Sequence, residues 1–414
     1  MTTISDLPRD MVEEIVSRIP LKLMREVRLT CREWNSLLKS ESLTKMRIGK
    51  EETMEKQGES RMVVLTNDNL YLMSIVVDEK KPCTEVKGKL SRVKIYLVFH
   101  CEGLLLCILK DDKTRLVVWN PYSGQTRSIQ LIYRYTKHIF QNKDRYGYAL
   151  GYKKNKKKKK KKSHKILRFV DTEHCFTCYE IYDFESGLWT TLEVTPHWRI
   201  HGVEHGVSLK GNSYWCASER NSPIGSRSID RIICFDFTRE RFGPLLRLPF
   251  SSWDGTVNLS CVREEKLAAL YHQAHCMEIW ITTKIEPKKM SWNKFLTLEL
   301  GPEGPIDVQN FSFFIDEVKK VAMLFERIFV CGEYEFLERN NFVNIIGVAG
   351  DVRQVELGEI AVRAYKLNVC PLVPSFVQIK QPARGKKRKQ SILENCRFDQ
   401  KLLIMKKKPA KGES

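Results

Sequence analysis

Three groupings of residues carry side chains that could do chemistry if their spacing brought them together. "HGVEH", His201 to His205, has the H-x-x-E-H order of a zinc peptidase, and that order binds metal only when both histidines share one helix face. Gly202, Gly206 and the following "VSLKGNSYW" read as turn and strand, so the two imidazoles diverge. Cys175 and Cys178 form a C-x-x-C, but structural zinc takes four ligands and no second pair stands at a matching spacing. They read as buried or strand-edge thiols, and His272 with His275 as ordinary residues at a strand end. There is no glycine-rich phosphate loop, no G-x-S-x-G and no carboxylate pair that stands out. The sequence therefore predicts a non-catalytic chain with no metal and no cofactor.

A different chemistry is suggested by charge. The formal net charge is +20 over 414 residues, the footprint expected of a polyanion-binding protein. It is concentrated in two places. Residues 153–165 carry ten lysines and no acid, and residues 381–414 carry eleven Lys or Arg against three acids, hence +10 and +8. Taking these from the total leaves +2 for the other 367 residues, so the body of the protein is nearly neutral. An unbroken lysine run repels itself and stays out of a sheet interior. The run at 153–164 therefore reads as a disordered loop between the strands "ALGY" and "HKILRF". No aromatic residues interleave with it to stack on bases, so only weak, salt-sensitive and sequence-independent affinity for polyanions is expected. A basic nucleic-acid-associated regulator using this loop and the tail is kept as the alternative function, with no specific nucleic acid expected. In the tail, Arg384, Lys386, Lys387, Arg388 and Lys389 form a cluster of the size of a nuclear localisation signal.

The elements that position these residues fall into two unlike parts. In "SDLPRDMVEEIVSRIP", Met11, Val12, Ile15, Val16 and Ile19 stand at helical spacing, with Pro8 suited to the first turn, Ser5 or Asp6 near enough to cap it, and Pro20 ending it. In "LKLMREVRLTCREWNSLLKS", Met24, Val27, Cys31, Trp34 and Leu38 step by three or four and predict one continuous helical stripe. A helical unit over residues 1–47 buries too little surface to stand alone. Its apolar face requires a cover, either the rest of the chain or a partner, and the polar segment 48–60 reads as a linker that favours the partner.

From residue 61 to 380 the pattern is mainly β. "RLVVWNPYSGQTRSIQL", "YEIYDFESGLWTTLEV", "IICFDFTRERFGPLLRLP" and "MEIWITTKIEPKKMSWNKFLTLEL" repeat a strand, a turn and a second strand, starting at 115, 179, 232 and 277. Each has a further strand before it, among them "GLLLCIL" and "EKLAALYHQ". Spacings of this size with several strands per repeat predict a β-propeller of six blades. Residues 381–414 read as a basic, disordered tail. Thirteen scattered cysteines and an opening "MTTISDLPRD" without a basic and apolar leader point to the nucleus or cytoplasm. No apolar run approaches the roughly 20 residues of a membrane span.

These segments carry a resemblance. "LPRDMVEEIVSRIPLKLMREVRLTCREWNSL" resembles an F-box. "CEGLLLC", "RLVVWNPYSGQTRSI", "YALGY", "HKILRF", "YEIYDF", "GVSLKGNSYW", "CFDFTRERFGP", "LSCVREEKLAALY", "FFIDEVKKVAMLF" and "VPSFVQI", in that order, resemble the plant F-box-associated domain of type 1. The resemblance implies a fold that is α+β by domain, a small helical F-box followed by a propeller-like β domain of the kelch type. It also implies a substrate-recognition subunit of a Skp-cullin-F-box ubiquitin ligase. Its partners would be a Skp-type adaptor, called ASK in plants, cullin through that adaptor, and an unidentified protein substrate. Carried onto this sequence, the adaptor-binding residues would be Leu7, Pro8, Met11, Ile15, Ile19, Pro20, Val27, Cys31 and Trp34.

Overall fold

The structure is a computed structural model that describes residues 7–38, 40, 42, 45, 46, 49, 58–78, 82–112, 114–131, 146–154, 162–171, 177–220, 229–250, 255–273, 276–299, 312–326, 342–357, 367–375 and 377–379. The described N-terminal part holds α1 (Arg9–Arg18), a single 3-10 turn over Leu21–Leu23, α2 (Met24–Thr30) and α3 (Arg32–Leu37). Pro8 stands one position before the first turn, as the N-cap of α1, and its carbonyl accepts the Val12 N–H at 3.1 Å. Pro20 ends α1 by holding Ile19 in an extended conformation, ψ 127°, and opens the 3-10 turn.

The single stripe expected from Met24 to Leu38 is broken. Cys31 adopts φ −154°, ψ 170° and serves as the N-cap of α3, its Sγ accepting the Trp34 N–H at 3.4 Å. Thr30 helps end α2 by turning its hydroxyl back onto the Val27 carbonyl at 2.6 Å. Periodicity cannot register such a break, because one extended residue between two helices leaves steps of three and four intact.

The β part comprises six sheets. The first contains β1 (Glu59–Thr66), β2 (Asn69–Val76) and β3 (Cys83–Lys89), and the second β4 (Ile95–Cys101), β5 (Leu104–Leu109), β6 (Arg115–Asn120) and β7 (Gln125–Gln130). The third holds β8 (Gly147–Lys154), β9 (Lys162–Asp171), β10 (Thr177–Asp183) and β11 (Trp189–Leu192). The fourth is built from β12 (Trp198–Ile200), β13 (Val207–Leu209), β14 (Asn212–Glu219), β15 (Arg231–Asp236), β16 (Arg241–Phe242) and β17 (Leu246–Arg247). The fifth has β18 (Thr256–Val262), β19 (Lys266–Gln273), β20 (Cys276–Ile285) and β21 (Met290–Glu299). The sixth has β22 (Ser312–Asp316), β23 (Val321–Glu326), β24 (Phe342–Gly347) and β25 (Val352–Glu356). The last described strand, β26 (Leu367–Pro371), returns to pair with β1 and completes the first sheet.

Alternation along each strand explains why these sheets form a ring. Successive side chains point to opposite faces, and both faces here meet a neighbouring sheet. In β5, Leu104 and Leu106 enter the apolar cluster shared with the third sheet, while Leu105, Cys107 and Leu109 enter the one shared with the first. The same division recurs around the molecule. Each sheet shares a cluster with the next, and the sixth shares one with the first through Phe325 and Val64, which closes the ring. The repeated segments starting at 115, 179, 232 and 277 are the third strands of blades two to five and the turns that follow them.

Those turns are set locally. Asn120 Oδ1 accepts the N–H groups of Tyr122 and Ser123, Asp183 Oδ1 those of Glu185 and Ser186, and Asp236 Oδ1 those of Thr238 and Arg239. On the same face, cations tie blades together. Arg127, 1% exposed, donates to Phe184 O and Tyr182 Oη of blade three. Lys165 bridges Asp183 of its own blade and Glu240 of blade four at 2.9 and 2.6 Å. Lys266 reaches Glu317 of blade six at 2.7 Å, and Lys319 of blade six reaches the carbonyls of Gly58 and Val77 beside blade one. After β26 the chain crosses blade two as a strap. The Asn120 amide donates to Ser375 O and Val377 O, and Gln125 Oε1 accepts the Ile379 N–H. Gly103, at φ +77°, permits this crossing, since a Cβ there would lie 2.4 Å from Val373 O.

Two expected boundaries move. The lysine loop is shorter than 153–164, because Lys153 and Lys154 pair with Ser163 and Lys162 as the ends of β8 and β9. Lysines tolerate these positions because Lys153 and Lys154 are exposed. The linker is also shorter than 48–60, since β1 already begins at Glu59, which pairs with Val76. The interior of the lysine run, Cys175, His275 and the tail from 381, with its basic cluster, lie outside the described residues.

Candidate functional site: the helical docking face

The helical unit presents two neighbouring apolar stripes with different environments. Val16 and Met24 are fully buried, and Leu21 and Leu38 nearly so, in the same cluster as Val63, Leu70 and Leu72 of blade one and Ile95, Leu105 and Leu109 of blade two. Val12, Ile19, Val27, Trp34 and Leu37 pack against this cluster and are half-buried. The large domain is thus one of the covers the helices needed. A surface ion pair between Arg92 and Glu26, 2.7 Å, adds a polar tie to the β3–β4 connection. At such exposure it contributes little, at most about 1 kcal/mol. Within the helices, Arg28 Nε donates to Asn35 Oδ1 at 2.7 Å across the α2–α3 corner, and burial lowers the Arg28 pKa.

The second stripe is uncovered. Leu7, just ahead of α1, and Met11 and Ile15 on it follow one another at four-residue steps and are 37%, 52% and 42% exposed. Pro8, Pro20 and Cys31 are exposed as well. Of the nine residues expected to contact an adaptor, Leu7, Pro8, Met11, Ile15, Pro20 and Cys31 therefore remain available on the surface, whereas Ile19, Val27 and Trp34 are partly used against the chain's own cluster. Two residues were not foreseen. Leu23 and Leu29 are exposed at 42% and 74% on the 3-10 turn and α2. Both stand outside the three-and-four stepping stripe of "LKLMREVRLT", and their signal was a leucine on what should be the polar side of an amphipathic helix.

The other motifs are absorbed by structure. His201 follows β12 and its Nε2 lies 2.8 Å from Ser218 Oγ on β14, while His205 closes a tight turn onto the Gly202 carbonyl. Cys178 is buried on β10, and His272 is the penultimate residue of β19. Among the described residues no group of three or more His, Cys, Asp or Glu could hold a metal ion, and no helix is long and apolar enough to cross a membrane.

A short helical unit with an open apolar stripe, seated on one seam of a closed six-bladed propeller, defines a two-part docking protein. The chain belongs to the F-box proteins that carry an F-box-associated propeller: residues 4–46 match the F-box domain and residues 61–379 the F-box associated beta propeller domain. It is 49% identical over 422 residues to F-box/kelch-repeat protein At4g33290 of Arabidopsis thaliana, covering 97% of this chain and 95% of that protein. It is 48% identical over 430 residues to F-box protein At2g38590 of the same plant, covering 97% of each. F-box proteins with a propeller domain are typically non-catalytic substrate receptors, and an F-box implies binding to a Skp1-type adaptor.

Proposed function

We propose that this chain is the substrate-recognition subunit of a Skp-cullin-F-box ubiquitin ligase, docking on a Skp-type adaptor through its helices and holding a protein target through its propeller. The observation that carries this reading is the open stripe of Leu7, Met11 and Ile15 beside a second stripe anchored on the propeller. Apolar area left uncovered on an otherwise packed unit is what a stable partner would bury, at roughly 1.5 to 3 kcal/mol for each fully covered large side chain. Leu23 and Leu29 extend the same docking surface. Ubiquitin transfer belongs to the conjugating enzyme that the assembled complex recruits, so this chain contributes placement and no covalent chemistry. Seating the helices on the seam between blades one and two fixes the adaptor relative to the propeller, which a receptor needs in order to present its target at a constant position. Co-expression of the full chain with a Skp-type adaptor tests the reading. A stoichiometric complex on size-exclusion chromatography is expected, and failure to form one with several such adaptors would contradict it.

A further inference from the structure

The segment that joins blades one and two turns two large side chains away from the core. In the β3–β4 connection, Leu90 packs against the cluster that buries Met24 of α2, and Ile95, the first residue of β4, lies inside that cluster. Val93 and Tyr96, on either side of Ile95, are instead 48% and 45% exposed. Tyr96 is the one exposed residue of β4. It is turned out because the pairing with β5 slips there. Ile95 stands opposite Leu109 and Leu97 opposite Ile108, so Tyr96 is the extra residue of a β-bulge, a device that re-aims a side chain. The far end of the same strand leads into a polar contact across the propeller axis, where the Glu102 N–H donates to the Glu264 carboxyl of blade five.

The exposed pair is held on a fixed backbone. The Leu90 N–H donates to Leu70 O at 2.7 Å, and Ser91 Oγ accepts the Leu70 N–H at 2.9 Å. The Ile95 N–H donates to Asp68 O at 2.7 Å, and Lys94 O accepts the Lys110 N–H at 3.0 Å. Apolar groups shown to solvent from a segment tied at both ends carry little of the ordering cost of binding. The helices end beside this segment. Leu23, Glu26 and Leu29 follow one another at three-residue steps and so share one side of the 3-10 turn and α2. Arg92 holds the Glu26 carboxylate at 2.7 Å, between those two exposed leucines, and Val93 is the next residue along the chain.

We propose that Val93 and Tyr96 of the propeller belong to the adaptor-docking surface, so that helices and blade two grip the adaptor together. This rests on the adaptor-docking reading above. Continuity assigns the pair to the adaptor, since the Arg92–Glu26 contact joins their segment to the side of the helices that carries Leu23 and Leu29. Val318 and Val348 of blade six are exposed as well, but lie outside the cluster that seats the helices. They serve as the control. A grip on both parts fixes the angle between adaptor and propeller more firmly than helices alone.

The test is the affinity of the purified full chain for a Skp-type adaptor, read by isothermal titration calorimetry. Val93→Ala with Tyr96→Ala should bind about 10- to 100-fold more weakly, since about half of each side chain is left for a partner to bury. Val318→Ala with Val348→Ala should bind as the wild type does. Should Tyr96→Ala disturb the bulge, Val93→Glu alone, in a connection outside the strands, keeps the proposal open to measurement. A carboxylate pressed unpaired under the adaptor should weaken binding by at least about tenfold while the thermal midpoint stays unchanged. Wild-type affinity in both Val93 variants, with affinity lost in Met11→Ala with Ile15→Ala, would overturn the proposal and leave the docking role standing. Equal loss in the blade six control would also overturn it. A wild-type dimer that dissociates in the Val93 variants while adaptor affinity is kept would assign the patch to a second copy of this chain instead. Absence of wild-type binding to several adaptors would overturn both the proposal and the reading it rests on.

Discussion

Removing the carboxylate of Glu180 leaves Arg168 without its ion-pair partner inside the third blade, and the cost can be worked from the geometry. The two residues are directly opposite on β9 and β10, so their side chains leave the sheet on the same face. Arg168 Nη2 lies 2.6 Å from Glu180 Oε2, both side chains are 1% exposed, and the guanidinium carbon is 4.4 Å from the centre of the Trp189 ring. With essentially no water to screen or replace the lost partner, Glu180→Met or Arg168→Met should cost about 3 to 5 kcal/mol. In a domain of this size that lowers the thermal midpoint by about 4 to 8 °C. Replacing both by apolar residues of similar volume, Arg168→Met with Glu180→Met, removes the attraction and the desolvation cost together. The double variant should then recover most of the loss, within about 2 kcal/mol of wild type. Differential scanning calorimetry on the three variants reads this directly as a double-mutant cycle. If each single variant loses less than about 1 kcal/mol, or if the double variant loses the sum of the two, the pair is not the buried, mutually dependent unit described here.

Two further predictions concern how the parts are held. Met24, 0% exposed, sits in the cluster that joins the helices to blades one and two, so Met24→Ala should cost about 2 to 5 kcal/mol. Amide exchange should then quicken in α1 and α2 well before it does in β18 to β21, and equal loss in the fifth blade would contradict a local anchor. Ending the chain after residue 366 removes β26, with Val369 from the blade six seam and Cys370 from the blade two seam. It should abolish cooperative unfolding, whereas ending it after residue 380 should leave the thermal midpoint within a degree or two of wild type.

The fold was legible where local chemistry sets it. Period-two alternation with both faces apolar, as in "GLLLCIL", announces a sheet packed on both sides, and the Asn or Asp at the end of the third strand in blades two, three and four marks a turn it builds with its own carboxyl or amide oxygen. What the sequence did not disclose depends on partners distant along the chain. The helix break at Cys31 preserves helical spacing, so the pattern could not register it. The division of the helical stripe between an anchored face and an open one is settled by contacts with Leu70 and Leu105, tens of residues away. That division removed Ile19, Val27 and Trp34 from the fully free surface and added Leu23 and Leu29 to it. Nor could spacing show that Glu102 and Glu264 meet, since a ring brings opposite blades together only at its axis. Charge was the most misleading signal. The lysine run dominates the sequence, yet its described ends are strand residues, and its last member, Lys162, is engaged by a glutamate.

The central claim is that the open stripe on α1 is what a Skp-type adaptor covers. The most direct test is the affinity of the purified full chain for that adaptor, wild type against Met11→Ala with Ile15→Ala. These side chains are 52% and 42% exposed, so a partner has about half of each left to bury, worth about 1 to 1.5 kcal/mol apiece. The double variant should bind about 30- to 150-fold more weakly while its thermal midpoint stays unchanged. An unchanged affinity, or a loss of affinity accompanied by unfolding of the helices, would contradict the account.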